Sequence, residues 1–321
     1  MTHVDDSLCR FGAEAILKRL EAMLRLIEPF RNNDDVEAVH DMRVASRRVR
    51  TALGLFEACF PRGRARRWNK QLRRVTRALG EARDTDVQIE FVQKFLKEVP
   101  DRLLRRGIRR LLLRLRQRRE ALQGEVAATL DAFQRHGTPA QLEAALRQSI
   151  VHGELRHVDP IGPAVRQHAR QAVTQRLEAM LAYEPYVSQP ECVEQLHGMR
   201  IAAKHLRYAM EVFRPAYGDA LDAFIDAAKE VQRRLGEIHD CDVWVAFLPA
   251  FVAEERQRTV EYFGREGPVR PLVPGLDYLR QERQAHRQAC YRSFVDFWQQ
   301  MRDQEVWSRL LATIEGVDDA R

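Results

Sequence analysis

Apolar residues recur at every third or fourth position along most of this chain, and no stretch alternates apolar and polar residues as a half-exposed β-strand does. The pattern is clearest in HDMRVASRRVRTALGLF, residues 40–56, where five apolar residues fall within about 80° of one another on a helical wheel: Met42, Ala45, Val49, Leu53 and Phe56. Only 16 glycines and 13 prolines interrupt 321 residues. The sequence therefore predicts an all-α protein.

The sequence also repeats itself. The hexapeptide RLEAML occurs twice, letter for letter, 157 positions apart, and His40 recurs as His197 at the same interval. Further along, LGEARDTDV is matched by LGEIHDCDV after 156 positions. Because several landmarks recur in the same order, we expect two tandem copies, residues 1–157 and 158–321, related by a pseudo-twofold axis.

Each copy is predicted to form a four-helix-bundle-like unit. Its first helix covers about residues 8–30 or 163–183, and its second carries the repeated histidine and ends at Pro61 or Pro215.

The predicted end of the third helix and the predicted start of the next one rest on a glycine and an aspartate. The third helix is expected to end at Gly80 or Gly236, because glycine is common just after a helix C-terminus. An aspartate of the following DTDV or DCDV is expected to cap the next helix, which is long and rich in arginine.

Composition narrows the choice of function. The net charge of +7 and the isoelectric point of about 9.4 favour an acidic partner. The five cysteines are dispersed and form no CxxC pair, which is typical of a reducing compartment. The N-terminus lacks a signal-peptide pattern and no run of 18 apolar residues exists, so we expect a cytoplasmic protein without membrane insertion.

A second, basic stripe runs beside the apolar stripe of the histidine helix. On the same wheel Val44 and Leu55 flank it on the far side, which favours a groove over an outer face. The second copy repeats the arrangement. The candidate binding residues on these two helices are His40, Arg43, Arg47, Arg50, His197, Arg200, Lys204 and Arg207.

The third helix of each copy adds cations on one face. They are Lys70, Arg73 and Arg77 in the first copy and Lys229 and Arg233 in the second. Like charges this close destabilise a helix, and we expect an external polyanion, rather than acidic neighbours, to neutralise the histidine stripes. Four arginines of the last helices are assigned to the outer surface: Arg116, Arg119, Arg280 and Arg283.

The segments HDMRVASRRVRTALGLF and HGMRIAAKHLRYAMEVF, each followed by LGExxDxDV, closely resemble the CHAD family, the histidine-bearing α-helical domains. The resemblance implies two four-helix-bundle-like halves around a basic central groove or pore. It implies a module that binds inorganic polyphosphate through the cations named above. The chain looks like a stand-alone CHAD protein, and we expect no catalysis, cofactor or metal. A scaffold on storage granules or in a polyphosphate-linked complex is a further function that stays open, because it is compatible with polyphosphate binding. The chain departs from the family at His205 and His239, where arginine is common.

Two other functions stay open. The stripes would also suit the phosphodiester backbone of a nucleic acid. Against this, bases stack on aromatic side chains, and Tyr208 is the single aromatic residue next to a stripe in the sequence. The dipeptide HD and the segment HDCD are similar to motifs of metal-dependent phosphohydrolases, but arginines beside these histidines would repel a cation. The aspartates fit better as helix caps and as partners of arginines: Asp84, Asp86, Asp240 and Asp242. No P-loop, GxSxG or zinc motif is present, so we favour binding over catalysis.

Overall fold

The computed structural model describes residues 5–32 and 36–316, and every regular element within them is helical, so the all-α prediction is confirmed. None of the described helices is long and apolar enough to cross a membrane. In chain order the α-helices are α1 (Asp6–Leu24), α2 (Ile27–Asn32), α3 (Val36–Leu55), α4 (Arg62–Glu98), α5 (Leu104–Arg135), α6 (Thr138–Leu155), α7 (Pro163–Leu181), α8 (Val193–Tyr217), α9 (Asp222–Phe263), α10 (Val273–Asp303) and α11 (Val306–Gly316).

Helices α4 and α9 are longer than the sequence predicted, with 37 and 42 residues. Each continues through the glycine and the aspartates at which a boundary was expected, so those two boundaries and the N-caps are wrong. The reason is packing. A Cβ on Gly80 would lie 3.8 Å from Nε of Arg43, and one on Gly236 would lie 3.5 Å from Nε of Arg200. Both distances are ordinary van der Waals contact, so the arginines do not require glycine. Buried residues instead continue on both sides of each glycine, Leu79 and Ala82 on α4 and Leu235 and Ile238 on α9, and core packing carries the helices through.

Three other boundaries also differ from the prediction. A turn separates α1 from α2 within the single helix expected over about residues 8–30. Helix α8 continues past Pro215, which has no N–H to donate to the carbonyl of Glu211, and Nη2 of Arg19 donates to that carbonyl at 3.2 Å instead. The short helices α6 and α11 were not predicted as separate elements, because the long arginine-rich helix was expected to complete each copy.

The buried apolar side chains form two separate clusters. In the larger one, α1, α3 and α8 meet where the rings of Phe11, Phe56 and Phe213 pack with centroids 5.6–5.9 Å apart. The smaller one joins the distal parts of α4 and α9 to α5 and α10, around Leu111 and Trp244. Helices α4 and α9 run from one cluster to the other, so their middle segments border the space between the clusters.

Helices α5 and α10 cross in close contact at the smaller cluster. A Cβ on Gly107 would overlap the carbonyl oxygen of Leu272, and one on Gly275 would overlap that of Leu104. In both cases the obstacle is backbone that cannot rotate away. Only glycine allows this approach.

We expect Gly107→Ala to lower the free energy of unfolding by about 2 kcal/mol or more, because α5 and α10 must move apart. Gly124→Ala, on the same helix, is the control: no atom lies within 4 Å of the new Cβ. It should raise the unfolding free energy by about 0.5–1 kcal/mol through helix propensity. Urea unfolding followed by circular dichroism measures both changes, and equal effects would contradict the close crossing.

Candidate functional site

A solvent-accessible gap separates the middle segments of α4 and α9. One face of α4 carries Gly80, Asp84, Val87 and Phe91. The first two lie against Arg43, and the ring of Phe91 packs 5.2 Å from that of Trp244 on α9, so this face points toward α9. Val87 is nevertheless 41% exposed, and Val243, its counterpart on α9, is 39% exposed. Inward-facing valines with this much exposure indicate that solvent fills the space between the two helices.

The basic stripes of α3 and α8 meet beside this gap. The two helices are in contact, and burial, followed by the charges of Arg47 and Arg200, lowers the pKa of Lys204 to about 8. The charge of Arg200 also acts on Arg43. The structure thus brings together five of the predicted site residues, from both halves of the chain. We call them the central cluster: Arg43, Arg47, Arg50, Arg200 and Lys204.

Several donors of the central cluster have no acceptor. Nε of Arg43, of Arg50 and of Arg200 is buried and makes no hydrogen bond within the described part of the chain. Burial is also the main cause that lowers the pKa of these three guanidinium groups. An unsatisfied N–H of a charged group costs more free energy than an unsatisfied neutral one. The cluster is therefore arranged to donate to an anion.

The expectation that no acidic side chain neutralises the stripes is wrong in two places. Asp84 Oδ1 lies 2.9 Å from Nη2 of Arg43, and Glu211 Oε1, one turn after Arg207 on α8, lies 3.4 Å from Nε of that residue. Asp240 on α9 also borders the cluster, and burial raises the pKa of its carboxyl group. Among the described residues, two carboxylates, Asp84 and Asp240, face the five cations, so the central cluster keeps an excess of positive charge.

Two histidines stack at the edge of the central cluster. The ring centroids of His197 and His239 are 4.0 Å apart. Burial lowers the pKa of both imidazoles, with a smaller contribution from the charge of Arg200, and the pKa of His239 falls to about 4. His40 is half-buried at the start of the stripe on α3. Arg83 occupies the position in the first half that His239 occupies in the second, so only one side of the site carries such a stack.

The predicted residues of α4 lie farther out. The charge of Arg73 acts on Arg50, and Lys70 is exposed one turn before Arg73. Arg77 instead borders the cleft between α4 and α5, where its Nε lies 3.1 Å from Oε1 of Glu81. Arg77 is therefore not part of the central cluster.

The predicted residues of α9 border a second, smaller cleft. Lys229 and Arg233 line it together with Arg207 of α8. Arg233 forms ion pairs with Glu230 and Glu237 on its own helix. Its charge is thereby largely neutralised, and Arg233 also lies outside the central cluster.

Sequence reasoning missed cations on the inner faces of α4 and α10. Arg83, Arg280 and Arg283 are half-buried, and each has a buried guanidinium nitrogen without a hydrogen-bond partner among the described residues. The guanidinium of Arg283 lies 4.5 Å from the ring centroid of Phe91, at the end of the gap away from the central cluster. The assignment to the outer surface is therefore wrong for Arg280 and Arg283. It is also wrong for Arg119, whose side chain is 16% exposed and pairs with the buried Asp86. The spacing of Arg280 and Arg283, three residues apart and continued by Arg287, marks a single helix face and was the available signal.

Comparisons with known proteins agree on one family. Residues 14–249 match the CHAD domain. The fold is similar to the crystal structure of the CHAD domain from the plant Ricinus communis, with a TM-score of 0.66 and 23% identity over 91% of this chain and 93% of that chain. It is also similar to PptA from Streptomyces chartreusis, with a TM-score of 0.59 and 16% identity over 91% of this chain and 99% of that chain. No curated protein matches the sequence.

Proposed function

Because the chain belongs to the CHAD domain family, we propose that it binds inorganic polyphosphate between its two halves without hydrolysing it. The observation that carries the proposal is the convergence of cations from α3 and α8 on the central cluster, in which three buried Nε–H groups have no acceptor among the described residues. Residues 1–157 and 158–321 are its two repeats in this proposal, because Arg43 and Arg200 occupy equivalent sequence positions and come together.

The arrangement suits a linear polyanion. Polyphosphate carries about one charge on each phosphate, and guanidinium groups donate charge-assisted hydrogen bonds to adjacent phosphate oxygens. Within the proposal, the central cluster binds successive phosphates, and His40 and His197 add donors at its edge when protonated. Arg73, Lys70, Lys229 and Arg207 attract the parts of the chain that leave the cluster. Association with polyphosphate granules follows from the same contacts.

Nucleic acid fits the site less well. Binding of single strands relies on aromatic side chains that stack on bases. Tyr208, the aromatic residue next to the stripe of α8, is only 5% exposed, and its ring is covered by the guanidinium of Arg207. Phe91, in the gap, is covered in the same way by Arg283. Neither ring is free to stack on a base, which favours a polyanion without bases.

Metal-dependent hydrolysis also fits less well. Asp84 and Asp240, the carboxylates that border the central cluster, lie beside Arg43 and Arg200. Arginines at this distance oppose the binding of a divalent cation, because like charges repel. The carboxylates serve here to reduce repulsion among the arginines.

The proposal predicts tight, strongly salt-dependent binding of long-chain polyphosphate. With about six phosphates contacted, the logarithm of the association constant should fall by about 4 for each tenfold rise in salt, through counterion release. Orthophosphate and ATP should compete poorly, because each reaches only part of the cluster. A fluorescence anisotropy titration over a salt series, with single-stranded RNA and DNA in parallel, measures these affinities.

Binding of ATP as tight as that of polyphosphate would contradict an extended site, and tighter binding of RNA would favour the nucleic-acid alternative. The same samples test for catalysis. Incubation of polyphosphate with the protein and Mg²⁺ or Mn²⁺ should release no phosphate above background. Metal-dependent release that is lost in Asp240→Asn would restore the hydrolase alternative.

A further inference from the structure

Two arginines of α10 have the character of binding residues although they lie outside the central cluster. Arg280 and Arg283 are half-buried, and Nε of each is buried without a hydrogen-bond partner among the described residues. They are one turn apart and therefore share a helix face. Such groups need an acceptor, because an unsatisfied N–H of a charged group is costly when it is removed from water.

The first half of the chain shows how such an arginine is satisfied. Arg119 is the counterpart of Arg283, and its Nε donates to Oδ1 of the buried Asp86 at 2.7 Å. The second half has an equivalent carboxylate, Asp242, but Arg287 binds it instead. The first half has Gln123 where the second has Arg287. This single difference leaves Arg283 without a carboxylate partner.

The position of Arg283 connects it to the gap. Its guanidinium lies over the ring of Phe91 on α4, and its charge acts on Cys241 of α9. Cys241 follows Asp240, whose charge acts on Arg200 of the central cluster. Arg283 therefore borders the same gap as the central cluster, at the end where the ring of Phe91 packs against α9.

The contact with Phe91 does not by itself compensate for the buried Nε–H group of Arg283. A cation–π contact at a half-exposed site is weak, and the ring offers no acceptor for the in-plane Nε–H. Arg280 lacks even this contact among the interactions described. Both side chains thus keep buried donors that an anion entering the gap would satisfy.

We propose that Arg280 and Arg283 extend the polyphosphate site through the gap between α4 and α9 and so give the protein a preference for long chains. This inference rests on the proposed function. A short polyphosphate occupies the central cluster alone, whereas a longer one reaches α10 as well. The extension is one-sided, because Arg119 of the first half is already neutralised by Asp86.

The test compares Arg280→Gln/Arg283→Gln with the wild type, using tripolyphosphate and long-chain polyphosphate as ligands. The control is Arg116→Gln/Arg118→Gln, which removes two exposed arginines of α5, one of them the counterpart of Arg280. The α10 variant should bind long-chain polyphosphate about tenfold more weakly, with a salt slope smaller by about 1.4, or roughly 0.7 for each lost phosphate contact. Its affinity for tripolyphosphate, and both affinities of the control, should stay within about twofold of the wild type.

Each outcome decides the inference. An unchanged salt slope for the long chain overturns it, and so does an equal loss for both ligands, which would place the two arginines in the central cluster. In either case wild-type binding leaves the proposed function intact, whereas a wild type that binds neither ligand overturns both. Circular dichroism monitors folding, and Arg280→Gln alone, which leaves the Phe91 contact in place, should show about half the change in slope if the double variant does not fold.

Discussion

Replacing Arg47 and Lys204 with glutamate is expected to abolish polyphosphate binding while leaving the helical circular dichroism nearly unchanged. The two side chains come from different halves of the chain and lie at the centre of the central cluster, where the charge of Arg47 acts directly on Lys204. Arg47→Glu with Lys204→Glu converts two attractions for phosphate into two repulsions. Both changes weaken the binding of the same ligand, and their effects on the binding free energy add. We therefore expect a loss of at least about a thousandfold in affinity.

The unliganded double variant should be as stable as the wild type or more stable. Burial and neighbouring arginines lower the pKa of Lys204 to about 8, so its positive charge is disfavoured in the empty cluster. A carboxylate at either position reduces the repulsion among the remaining arginines. Polyphosphate should therefore raise the melting temperature of the wild type only, since a ligand stabilises only the state that binds it.

The matched control is Lys97→Glu with Arg118→Glu. Both residues are exposed on α4 and α5, away from the cluster, and the pair lowers the formal net charge by the same amount. It should retain most of the affinity at physiological salt, because exposed charges beyond about 10 Å are screened. Equal losses in the two variants would mean that net charge alone drives binding. An unfolded cluster variant would assign these side chains a structural role.

The buried side of the histidine helices could be predicted from periodicity because helix geometry alone determines it. Met42, Val49, Leu53 and Phe56 are all buried, as the wheel predicts, and the stripe beside them is half-buried. Local sequence is enough here, since a helix of known phase presents its apolar face to the core whatever the partner is.

The helix boundaries could not be predicted, because they depend on contacts distant in sequence. Gly80 has the sequence context of a helix end, but Leu79 and Ala82 on either side of it are buried in the core, and α4 continues through it. Pro215 has the context of a helix stop, but Arg19 satisfies the carbonyl that the proline leaves free. In both cases contacts with residues distant in sequence outweigh the local signal.

The membership of the central cluster depended on tertiary packing in the same way. In the sequence, Arg47 and Lys204 belong to two separate basic stripes. The contact between α3 and α8 brings them together. Arg119 and Arg283 occupy matching positions in the sequence, yet Arg119 is neutralised by Asp86 and Arg283 has no carboxylate partner among the described residues, because Arg287 binds Asp242. A pattern identifies the cations, but only the fold decides which of them keep a free donor.

The stacked histidines lead to the second large expected effect, an increase in polyphosphate affinity as the pH falls. His197 and His239 lie among charged groups of four helices: Arg200 and Lys204 of α8, Asp240 of α9, Arg43 and Arg47 of α3, and Asp84 of α4. With the pKa of His239 at about 4 and that of His197 also below its usual value, both imidazoles are neutral at pH 7 in the free protein. A bound polyanion favours the imidazolium form and raises both pKa values.

Proton linkage determines the direction in which the affinity changes with pH. In the complex the imidazoles bind protons at a higher pH than in the free protein, so the affinity rises as the pH falls through the pKa values of the complex. It levels off below about pH 4, where free His239 is protonated as well. The free energy of unfolding of the unliganded protein changes in the opposite direction and falls as the pH falls. The unfolded chain binds a proton at His239 below about pH 6.5 while the folded chain does not, so stability falls as the pH falls from about 6.5 to 4.

Titrations with long-chain polyphosphate between pH 8 and pH 5 test this coupling. The wild-type affinity should rise by up to about tenfold per pH unit for each proton taken up. His239→Gln should lose the part of the rise that comes from His239. His239→Arg, which places in the second half the residue that Arg83 provides in the first, should bind more tightly at pH 7 and show a flatter profile. Protonation of the polyphosphate itself contributes equally to the pH profiles of the wild type and of both variants. Only the differences between these profiles therefore report on His239. Identical profiles for all three proteins would show that the stacked pair takes up no proton on binding.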